Sequence, residues 1–424
     1  MKAPATLVLF TNYFPFHTGE EYLETELPYL VKQFDRVVIV PVMLDAQMEQ
    51  TRQLPDTVTV VRVPSSNTPR TRLADVIRFG PASLGDGVAR RQTPFWAVHH
   101  FAYDLYFASR GHAFWRRART AVLQAIEGSD EVVIYSYWLY VTALAATALQ
   151  REIPTRTTRM VSRAHRYDVL PSANMLGYLP LREEVVSPFD AVHPVAHAGY
   201  EELAHSVPDH LERISVRRLG VEGPADIPVR SHCPLNIVSC SSLKTPKRLP
   251  LLIAGLSLFA REGASFTWTH YGGSGPALAE LRAEASHRLP QGSWRMVGHV
   301  PNGEVTRTLR TPNPSLFINV SSSEGVPVSI MEAMAAGLPV MATAAGGTPE
   351  IVSTGVNGVL LPVELDAHTV AQALQNFSLA TDAEYEALSI GARTTWEQSW
   401  NAEQLYSSFS RELIATDPPG SANG

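Results

Sequence analysis

Two glutamates, Glu324 and Glu332, are separated by seven residues in the segment SSSEGVPVSIMEAMAAGLPVMATAAGGTPE, residues 321–350. The apolar run at residues 316–320 predicts a strand before them, and the Met- and Ala-rich run at residues 328–336 predicts a helix. The first turn of such a helix presents unsatisfied N–H groups and the positive end of its dipole to the preceding loop. Glu332, about one turn into the helix, can accept hydrogen bonds from ribose hydroxyls. Glu324, in the loop, can accept hydrogen bonds from the hydroxyls of a second ring. The spacing therefore predicts a sugar-nucleotide site.

The spacing alone also allows a purely structural interpretation, in which Glu324 is a surface acid and Glu332 a solvated helix residue. The surrounding sequence argues against it. Glu332 is the one acid in the apolar stretch SIMEAMAAGLPVMAT, which runs into a predicted strand at residues 338–342 and a turn at Gly346 and Gly347. Solvation is a poor explanation for an acid in that context.

The same segment, with GGTPE at residues 346–350, resembles the donor site of the retaining glycosyltransferases of family 4, also called group 1, which have the GT-B fold. YGGSGP at residues 271–276 and VGHVP at residues 297–301 occur in the family's order. The resemblance is strong over the second half of the chain and scattered over the first. It implies that Glu332 holds ribose and Glu324 the sugar hydroxyls. The other donor contacts that it implies are Gly298, Val300, Gly325, Val328 and Ser329.

A basic loop, SSLKTPKR, follows the predicted strand at residues 235–240. Taken alone, the segment is better explained as a solvated basic loop ahead of a helix than as a binding loop. The resemblance implies that Lys247 binds donor phosphate, and the family usually has an Arg five or six residues earlier. Ser242 and Ser241 stand there instead, and a hydroxyl cannot offer the bidentate pair of an Arg. Ser242 is thus the residue at the family's phosphate position, and Lys244 is a candidate for the missing charge.

His165 follows a predicted strand in the segment MVSRAHRYDVL. A single His in this position is often structural, but the resemblance implies that it approaches the donor sugar and the reacting carbon. Asp168 is expected to orient its neighbours. In the loop NYFPFHTGE the resemblance implies that Gly19 approaches donor phosphate, and a lone Gly is weak evidence for that.

Short apolar runs alternate with helical ones along the chain, which is typical of parallel sheets with crossover helices. The first series has predicted strands at residues 6–10, 36–40, 58–63, 131–137, 159–163, 191–195 and 214–219. The second has them at residues 235–240, 266–271, 294–297, 316–320, 338–342 and 358–361. The predicted fold class is α/β, with two facing doubly wound, Rossmann-like domains in the GT-B architecture. Ligands of such sheets bind outside the carboxyl ends of the strands.

We predict an N-terminal acceptor-side domain at residues 1–220 and a nucleotide-sugar-binding domain at residues 235–398. The Pro-rich residues 221–234 form the linker. Residues 399–414 are predicted as a helix that crosses back to the first domain, because Leu405, Phe409 and Leu413 share one helical face. Residues 415–424, ATDPPGSANG, are predicted to be a disordered tail.

The chain has 424 residues, two Cys and no run of about 18 uncharged apolar residues. Its opening, MKAPATLVLFTNY, lacks the apolar core and cleavage site of a signal peptide. Cys233 and Cys240 form no closely spaced metal or redox motif. We expect a cytoplasmic protein. The net charge of −6 argues against general nucleic-acid binding.

Residues 70–119 carry nine Arg, three Asp and no Lys or Glu, a local charge of +6. The Arg residues are interleaved with aromatic ones, namely Phe95, Trp96, Phe101, Tyr103, Tyr106, Phe107, Phe114 and Trp115. One interpretation is a peripheral contact with the anionic inner face of the plasma membrane, near a lipid-linked acceptor. The other is an insertion of helices whose aromatic residues lie in the core while the Arg residues stay solvated. The sequence leaves both open.

The predicted function is transfer of a sugar from a nucleoside diphosphate sugar to a hydroxyl acceptor, with retained anomeric configuration and no metal or cofactor. The expected donor is a UDP-sugar, with a GDP-sugar as the alternative, and the expected context is polysaccharide, cell-envelope or glycolipid assembly. His165, Lys247 and Glu324 are the candidate catalytic residues, with Glu324 positioning the sugar. Two alternatives are a noncatalytic GT-B subunit, suggested by the missing Arg, and a sugar-nucleotide epimerase or phosphorylase on the same fold.

Overall fold

The computed structural model describes residues 5–16, 19–63, 68–83, 98–174 and 176–414. The chain divides into two compact units. Unit 1 comprises Met1–Leu219 and Gln404–Gly424, and unit 2 comprises Gly220–Glu403. The predicted tail at residues 415–424 lies outside the described residues.

Unit 1 is built on one six-stranded sheet. Its strands are β1 (Ala5–Thr11), β2 (Arg36–Pro41), β3 (Val58–Val60), β4 (Glu131–Ser136), β5 (Thr157–Ala164) and β6 (Ala191–Pro194). All neighbours are parallel, in the order β3-β2-β1-β4-β5-β6. Its helices are α1 (Tyr22–Gln33), α2 (Pro69–Ser83), α3 (Val98–Ala125), α4 (Val141–Glu152), α5 (Arg166–Val169), α6 (Arg182–Val186) and α7 (His197–Ser206).

The central strands of unit 1 are apolar because helices cover both faces of the sheet. All seven residues of β1 are buried. Val8 lies in register with Val38 of β2 and with Ile134 of β4. The continuous apolar runs that predicted these strands are thus the mark of a sheet buried on two sides.

The segment at residues 214–219 was predicted as a strand and is not one. Only a single bridge joins Val192 and Ile214, although Ser215 and Arg217 donate backbone hydrogen bonds to β6. Pro194 ends β6 and has no N–H to donate, so a full ladder cannot form there. The prediction for residues 58–63 was also too long, since β3 ends at Val60.

Helices α2 and α3 occupy most of the section that the sequence marks as rich in Arg and aromatic residues. Phe107, Phe114 and Trp115 of α3 are buried in the core of unit 1, and Phe101 packs against it. For these aromatic residues the structure favours the core interpretation over a membrane-facing one. Phe95 and Trp96 lie outside the described residues.

Unit 2 repeats the architecture. Its strands are β7 (Leu235–Cys240), β8 (Phe266–Tyr271), β9 (Trp294–Gly298), β10 (Leu316–Asn319), β11 (Val340–Thr343) and β12 (Gly358–Leu361). They pair in parallel in the order β12-β11-β10-β7-β8-β9. Its helices are α8 (Leu249–Arg261), α9 (Gly275–Arg288), α10 (Asn302–Leu309), α11 (Val328–Ala335), α12 (Ala367–Ser378) and α13 (Asp382–Ser399). The predicted fold class of two doubly wound domains is confirmed.

The last helix, α14 (Ala402–Ile414), packs almost entirely on unit 1. Its buried face is formed by Tyr406, Phe409 and Leu413, with Tyr406 in place of the predicted Leu405. Arg163 of β5 lies over the Phe409 ring at 4.1 Å, and Arg217 donates to Glu412 at 2.9 Å. In the described ranges no helix is both long and apolar enough to span a bilayer.

Candidate functional site

The strand order of unit 2 reverses between β7 and β10, which are neighbours in the sheet but distant in sequence. Open α/β sheets bind their ligands at such a switch point, outside the carboxyl ends of the strands. The loop after β7 carries Lys247 and the loop after β10 carries Glu324. Lys247 Nζ lies 2.6 Å from Glu324 Oε1, so the fold brings together two of the predicted residues that are 77 positions apart.

Glu324 is held by a second contact, since Asn319 Nδ2 donates to the same Oε1 at 3.1 Å. Its side chain is 9% exposed. The other oxygen, Oε2, has no hydrogen-bond partner in the part of the chain that the structure describes. Glu324 is therefore oriented through one oxygen and can accept hydrogen bonds from a ligand through the other.

Arg248 fixes the loop that carries Lys247. Its guanidinium donates to the carbonyls of Val320 at 2.6 Å, Ser321 at 3.1 Å and Val363 at 2.8 Å. These bonds tie the start of α8 to the end of β10. Arg248 is thus committed to backbone carbonyls, and in this loop it acts as a positioning residue for Lys247 and Glu324.

The Gly346–Gly347 turn packs directly against the loop of Glu324. Gly347 N donates to the Gly325 carbonyl at 2.8 Å. Gly346 has φ +55°, and a Cβ there would lie 1.9 Å from the Glu324 carbonyl oxygen. No side chain fits that contact, which explains physically why this turn contains glycine.

Glu332 lies in α11 and is only 8% exposed. Asn302 Nδ2 donates to its Oε1 at 2.8 Å. Burial raises the pKa of Glu332 to about 7, although Asn302 and the charge of Arg310 act in the opposite direction. Shifted pKa values of this kind cluster at functional sites, so the raised pKa makes Glu332 a candidate site residue.

Helix α11 begins at Val328 after Pro327, and no side chain caps it. The N–H groups of its first turn, at Val328 and Ser329, have no carbonyl partner within the helix. Together with the helix dipole they form a position that favours an anion.

The other predicted donor contacts lie on neighbouring loops at the same edge of the sheet. Gly298 ends β9, and its carbonyl accepts from Gly272 N at 2.7 Å, while Val300 is half-buried in the following loop. Gly272 has φ +116°, and a Cβ there would lie 2.0 Å from the Ser241 carbonyl oxygen. The YGGSGP segment is thus a close-packed turn that supports the loop of Lys247.

The position of the family's Arg holds only hydroxyls. Ser242 is exposed, and Ser241 Oγ donates to the Ser242 carbonyl at 3.0 Å. Lys244, in the same loop, has an exposed side chain. With Arg248 bound to carbonyls, Lys244 is the remaining candidate in this loop for the missing charge.

Unit 1 has the same strand order, with its switch point between β1 and β4. Gly19 lies in the loop after β1 at φ +95°. The next residue, Glu20, is buried, and its carboxylate accepts from the N–H groups of Asn12, Tyr13 and Phe14 at 2.7–2.8 Å. Trp138 Nε1, after β4, donates to Glu20 at 2.6 Å. Glu20 therefore joins the two loops that flank the switch point.

His165 follows β5 and packs against Trp138, with ring centroids 4.4 Å apart. Its Nε2 lies 3.0 Å from the Tyr137 carbonyl, so Nε2 donates and the neutral ring keeps its lone pair on Nδ1. Burial of the ring, assisted by the charge of Arg163, lowers the pKa of His165 to about 3. The imidazole is therefore neutral at physiological pH.

Asp168 is buried and holds two loops by their backbone. It accepts from His165 N at 2.5 Å and from Leu139 N at 2.6 Å. Burial raises the pKa of Asp168 to about 7. These contacts give it the orienting role expected for it, through the backbone on either side of Trp138 and His165.

Sequence reasoning missed Glu20, Asn302, Asn319 and Arg248 as positioning residues. Asn319 ends an otherwise apolar strand, LFIN, and a polar residue at the carboxyl end of a buried strand is the signal that could have found it. Asn302 opens α10 directly after VGHVP. Glu20 gave no such signal, because its partners are backbone N–H groups and one distant indole.

The chain is similar to known glycosyltransferases in sequence and in fold. Residues 234–394 match the family described as Glycosyl transferases group 1. Over 202 residues the chain is 32% identical to the amylovoran biosynthesis glycosyltransferase AmsK of Erwinia amylovora, covering 46% of this chain and 49% of AmsK. Over 272 residues it is 28% identical to the putative colanic acid biosynthesis glycosyltransferase WcaL of Escherichia coli K12. That match covers 62% of this chain and 65% of WcaL. The chain thus spans less than two thirds of either relative.

Among solved structures, Anabaena HepE in complex with UDP is similar, with a TM-score of 0.63 and 16% identity. The similarity covers 96% of this chain and 99% of HepE. It shows the fold, which is that of the GT-B glycosyltransferases. Residues 234–394, which include Lys247, Glu324 and Glu332, thus match the glycosyl transferases group 1 family within a chain whose fold is that of the GT-B glycosyltransferases.

Proposed function

We propose that the protein transfers a sugar from a nucleoside diphosphate sugar to a hydroxyl acceptor, with retention of the anomeric configuration and without a metal ion. The observation that carries the proposal is the contact of Lys247 with Glu324 at the switch point of unit 2, 2.6 Å from Nζ to Oε1. Lys247 supplies a cation and Glu324 an oriented carboxylate, and the uncapped start of α11 at Val328 follows in the same loop as Glu324.

The donor groups are assigned by their chemistry. The diphosphate binds Lys247 and the N–H groups of Val328 and Ser329, which are preorganised where negative charge develops. Glu332 accepts from the ribose hydroxyls, and Glu324 uses its unpartnered Oε2 for the hydroxyls of the transferred sugar. Backbone groups of Gly298 and Val300 contact the base, and Gly325 the donor, as the resemblance implies.

In the reaction, the bond between the anomeric carbon and the phosphate oxygen breaks, and its electron pair leaves with the diphosphate. The acceptor hydroxyl attacks from the same face, and a phosphate oxygen takes its proton. Glu324 is not a nucleophile in this scheme, because the acceptor attacks the anomeric carbon directly. Lys247 and Asn319 hold its Oε1, which orients Oε2 for the hydroxyls of the sugar. His165 and Gly19, in unit 1, have the parts that the resemblance implies, beside the sugar and the donor phosphate.

The proposed donor is a UDP-sugar. HepE was solved with UDP and with UDP-glucose, which supports this choice, and a GDP-sugar is the alternative. The relatives are named for the biosynthesis of amylovoran and colanic acid, so we propose polysaccharide assembly in the cytoplasm, with a growing saccharide as acceptor.

The test is release of nucleoside diphosphate from purified protein given UDP-, GDP- or ADP-sugars, with and without EDTA. We expect slow, EDTA-resistant release from one donor and a loss of about 100-fold in Glu324→Ala, because a charge-assisted hydrogen bond to the sugar is removed. Glu304→Ala, at an exposed acid of the same unit, is the control and should retain full release.

The outcomes separate the alternatives. Nucleotide binding without any release, in the presence of a panel of saccharide acceptors, would favour the noncatalytic subunit. Epimerised sugar nucleotide, or sugar phosphate formed only when inorganic phosphate is added, would favour the epimerase or phosphorylase. Release abolished by EDTA and restored by a divalent cation would contradict metal independence. Inversion of the anomeric centre in the isolated product would contradict retention.

A further inference from the structure

Helix α2 carries a face that the described part of unit 1 leaves exposed. The face is formed by Arg70, Leu73, Ala74, Ile77 and Arg78, at helical spacings of three and four, and all five residues are exposed. Leu73 is 62% exposed and Ile77 is 71% exposed. Single exposed apolar residues are ordinary on a protein surface, but two adjacent ones between arginines on one helix are not.

The opposite side of α2 is attached to α3. Asp75 lies 3.5 Å from Arg110 and 3.3 Å from Arg117, both on α3. Asp75 is the single acid in the sequence of α2, and these two arginines neutralise it. The attached side therefore fixes which way α2 faces, and the exposed face has positive charge without a carboxylate of its own.

We propose that the exposed face of α2 docks the protein on an anionic phospholipid surface. Leu73 and Ile77 enter the headgroup region, and Arg70 and Arg78 on either side bind lipid phosphates. The buried positions of Phe107, Phe114 and Trp115 mean that aliphatic side chains of α2, rather than these aromatic residues of α3, supply the apolar contact.

The positive charge of this face fits an anionic lipid surface, and its small area favours lipid over a protein partner. A stable protein interface buries about 800 Å² on each side, which is more than one face of a short helix supplies. A bilayer needs no shaped groove, and a few apolar and basic side chains on a rigid body are sufficient for reversible attachment. The proposal does not depend on the proposed sugar transfer, and docking can be measured without any donor or acceptor.

The experiment is co-sedimentation of the full chain with vesicles of phosphatidylcholine alone, or with about one third phosphatidylglycerol. We expect binding to the anionic vesicles only, weakened by 0.5 M NaCl. The double variant Leu73→Ser/Ile77→Ser should lower the vesicle affinity by at least about tenfold because apolar contact is lost. Arg70→Gln/Arg78→Gln should lower it by about 25-fold, since each Arg near an anionic surface contributes about fivefold.

Matched controls lie in unit 2. Ile390→Ser removes an apolar side chain of α13 that is 54% exposed, and it controls for the Leu73/Ile77 variant. Arg295→Gln/Arg307→Gln removes two exposed arginines, and it controls for the Arg70/Arg78 variant. Both controls should sediment with the anionic vesicles as the wild type does.

Three results would overturn the proposal. The first is equal vesicle affinity of wild type and both α2 variants, or no binding by the wild type. The second is a dimer in solution that Leu73→Ser/Ile77→Ser converts to a monomer, which would make this face a contact between copies of the chain. The third is a lowered melting temperature in that variant, which would show that the face packs on another part of the same chain.

Discussion

The two switch points of the molecule have the same strand order and different chemistry. In unit 2, the loops after β7 and β10 bring a half-buried Lys247 to Glu324, beside a helix start without a cap. In unit 1, the loops after β1 and β4 are joined through Glu20, whose carboxylate is occupied by three backbone N–H groups and the indole of Trp138. His165 beside it is neutral.

The shared topology thus gives the two units equivalent positions for a ligand, and the side chains of the loops give those positions different chemistry. The switch point of unit 2 has a cation, Lys247, paired with Glu324, and a helix start whose first N–H groups favour an anion. At the switch point of unit 1 the carboxylate is already satisfied, and the neighbouring groups are aromatic rings and a neutral imidazole. In the proposed function, unit 2 therefore supplies the charged contacts of the diphosphate, and the unit 1 loop after β1 supplies only the backbone of Gly19.

Removal of the cation at the unit 2 switch point should lower activity more than any other change considered for the two switch points. Lys247→Ala should lower kcat for sugar transfer by about 100-fold to 1,000-fold, because one preorganised group that stabilises the leaving diphosphate is lost. Steady-state kinetics with saturating donor measure this directly. Lys247→Arg should recover part of the rate, since the charge is kept although its position changes.

Lys244→Ala is the matched control in the same loop, and it also tests the missing Arg. A loss below about tenfold would leave Lys247 as the main cation. A loss as large as that of Lys247→Ala would show that phosphate stabilisation is shared by both lysines, and the contrast between the two switch points would then rest on a wider basic loop.

The second prediction concerns Glu20, which joins the two loops at the unit 1 switch point. Glu20→Gln replaces an acceptor by an amide whose NH₂ faces N–H donors, so buried donors lose their partner. We expect destabilisation by about 2–3 kcal/mol. Thermal unfolding should show it as a decrease of about 5 °C or more for a unit of this size.

Glu49→Gln, at an exposed acid of unit 1, controls for the loss of one charge and should unfold like the wild type. If Glu20→Gln leaves the melting temperature unchanged, Glu20 does not hold the two loops together, and the unit 1 switch point is as open to a charged ligand as that of unit 2.

The elements that the sequence predicted correctly are those whose pattern lies within one continuous segment of the chain. The strands of unit 2 were placed within a residue or two, because apolar runs between Gly- and Pro-containing turns are local. The strand predicted at residues 214–219 failed because Pro194, on the neighbouring strand, prevents the ladder, and pairing partners are not visible in one segment.

Contacts between distant segments were likewise not predictable for the site residues. Glu324 and Lys247 were found from their motifs, but their 2.6 Å contact spans 77 residues and follows only from the order of β7 and β10. Asn302 could be placed beside Glu332 only after α10 and α11 were located. For α3, the composition could not decide between core and membrane, because burial of Phe107 and Trp115 depends on packing with other elements.

The ionisation of Glu332 in unit 2 should give the smallest of these effects. Burial raises the pKa of Glu332 to about 7, so at pH 6 the carboxyl is mostly protonated in the free protein. Two ribose hydroxyls are bound best by the ionised form, which accepts twice. Binding of UDP should therefore release a proton at pH 6 and none at pH 8, and affinity should rise by about tenfold over that range before levelling off.

Isothermal titration calorimetry in two buffers of different ionisation enthalpy measures the released proton. UDP titrates near the same pH, so the informative quantity is the difference between wild type and Glu332→Gln, in which the contribution of UDP cancels. If the two proteins release the same number of protons at pH 6, Glu332 stays protonated with nucleotide bound or does not contact it. A raised pKa would then reflect only the burial of α11, and the charge available to a ligand in unit 2 would reduce to Lys247, Glu324 and the helix start.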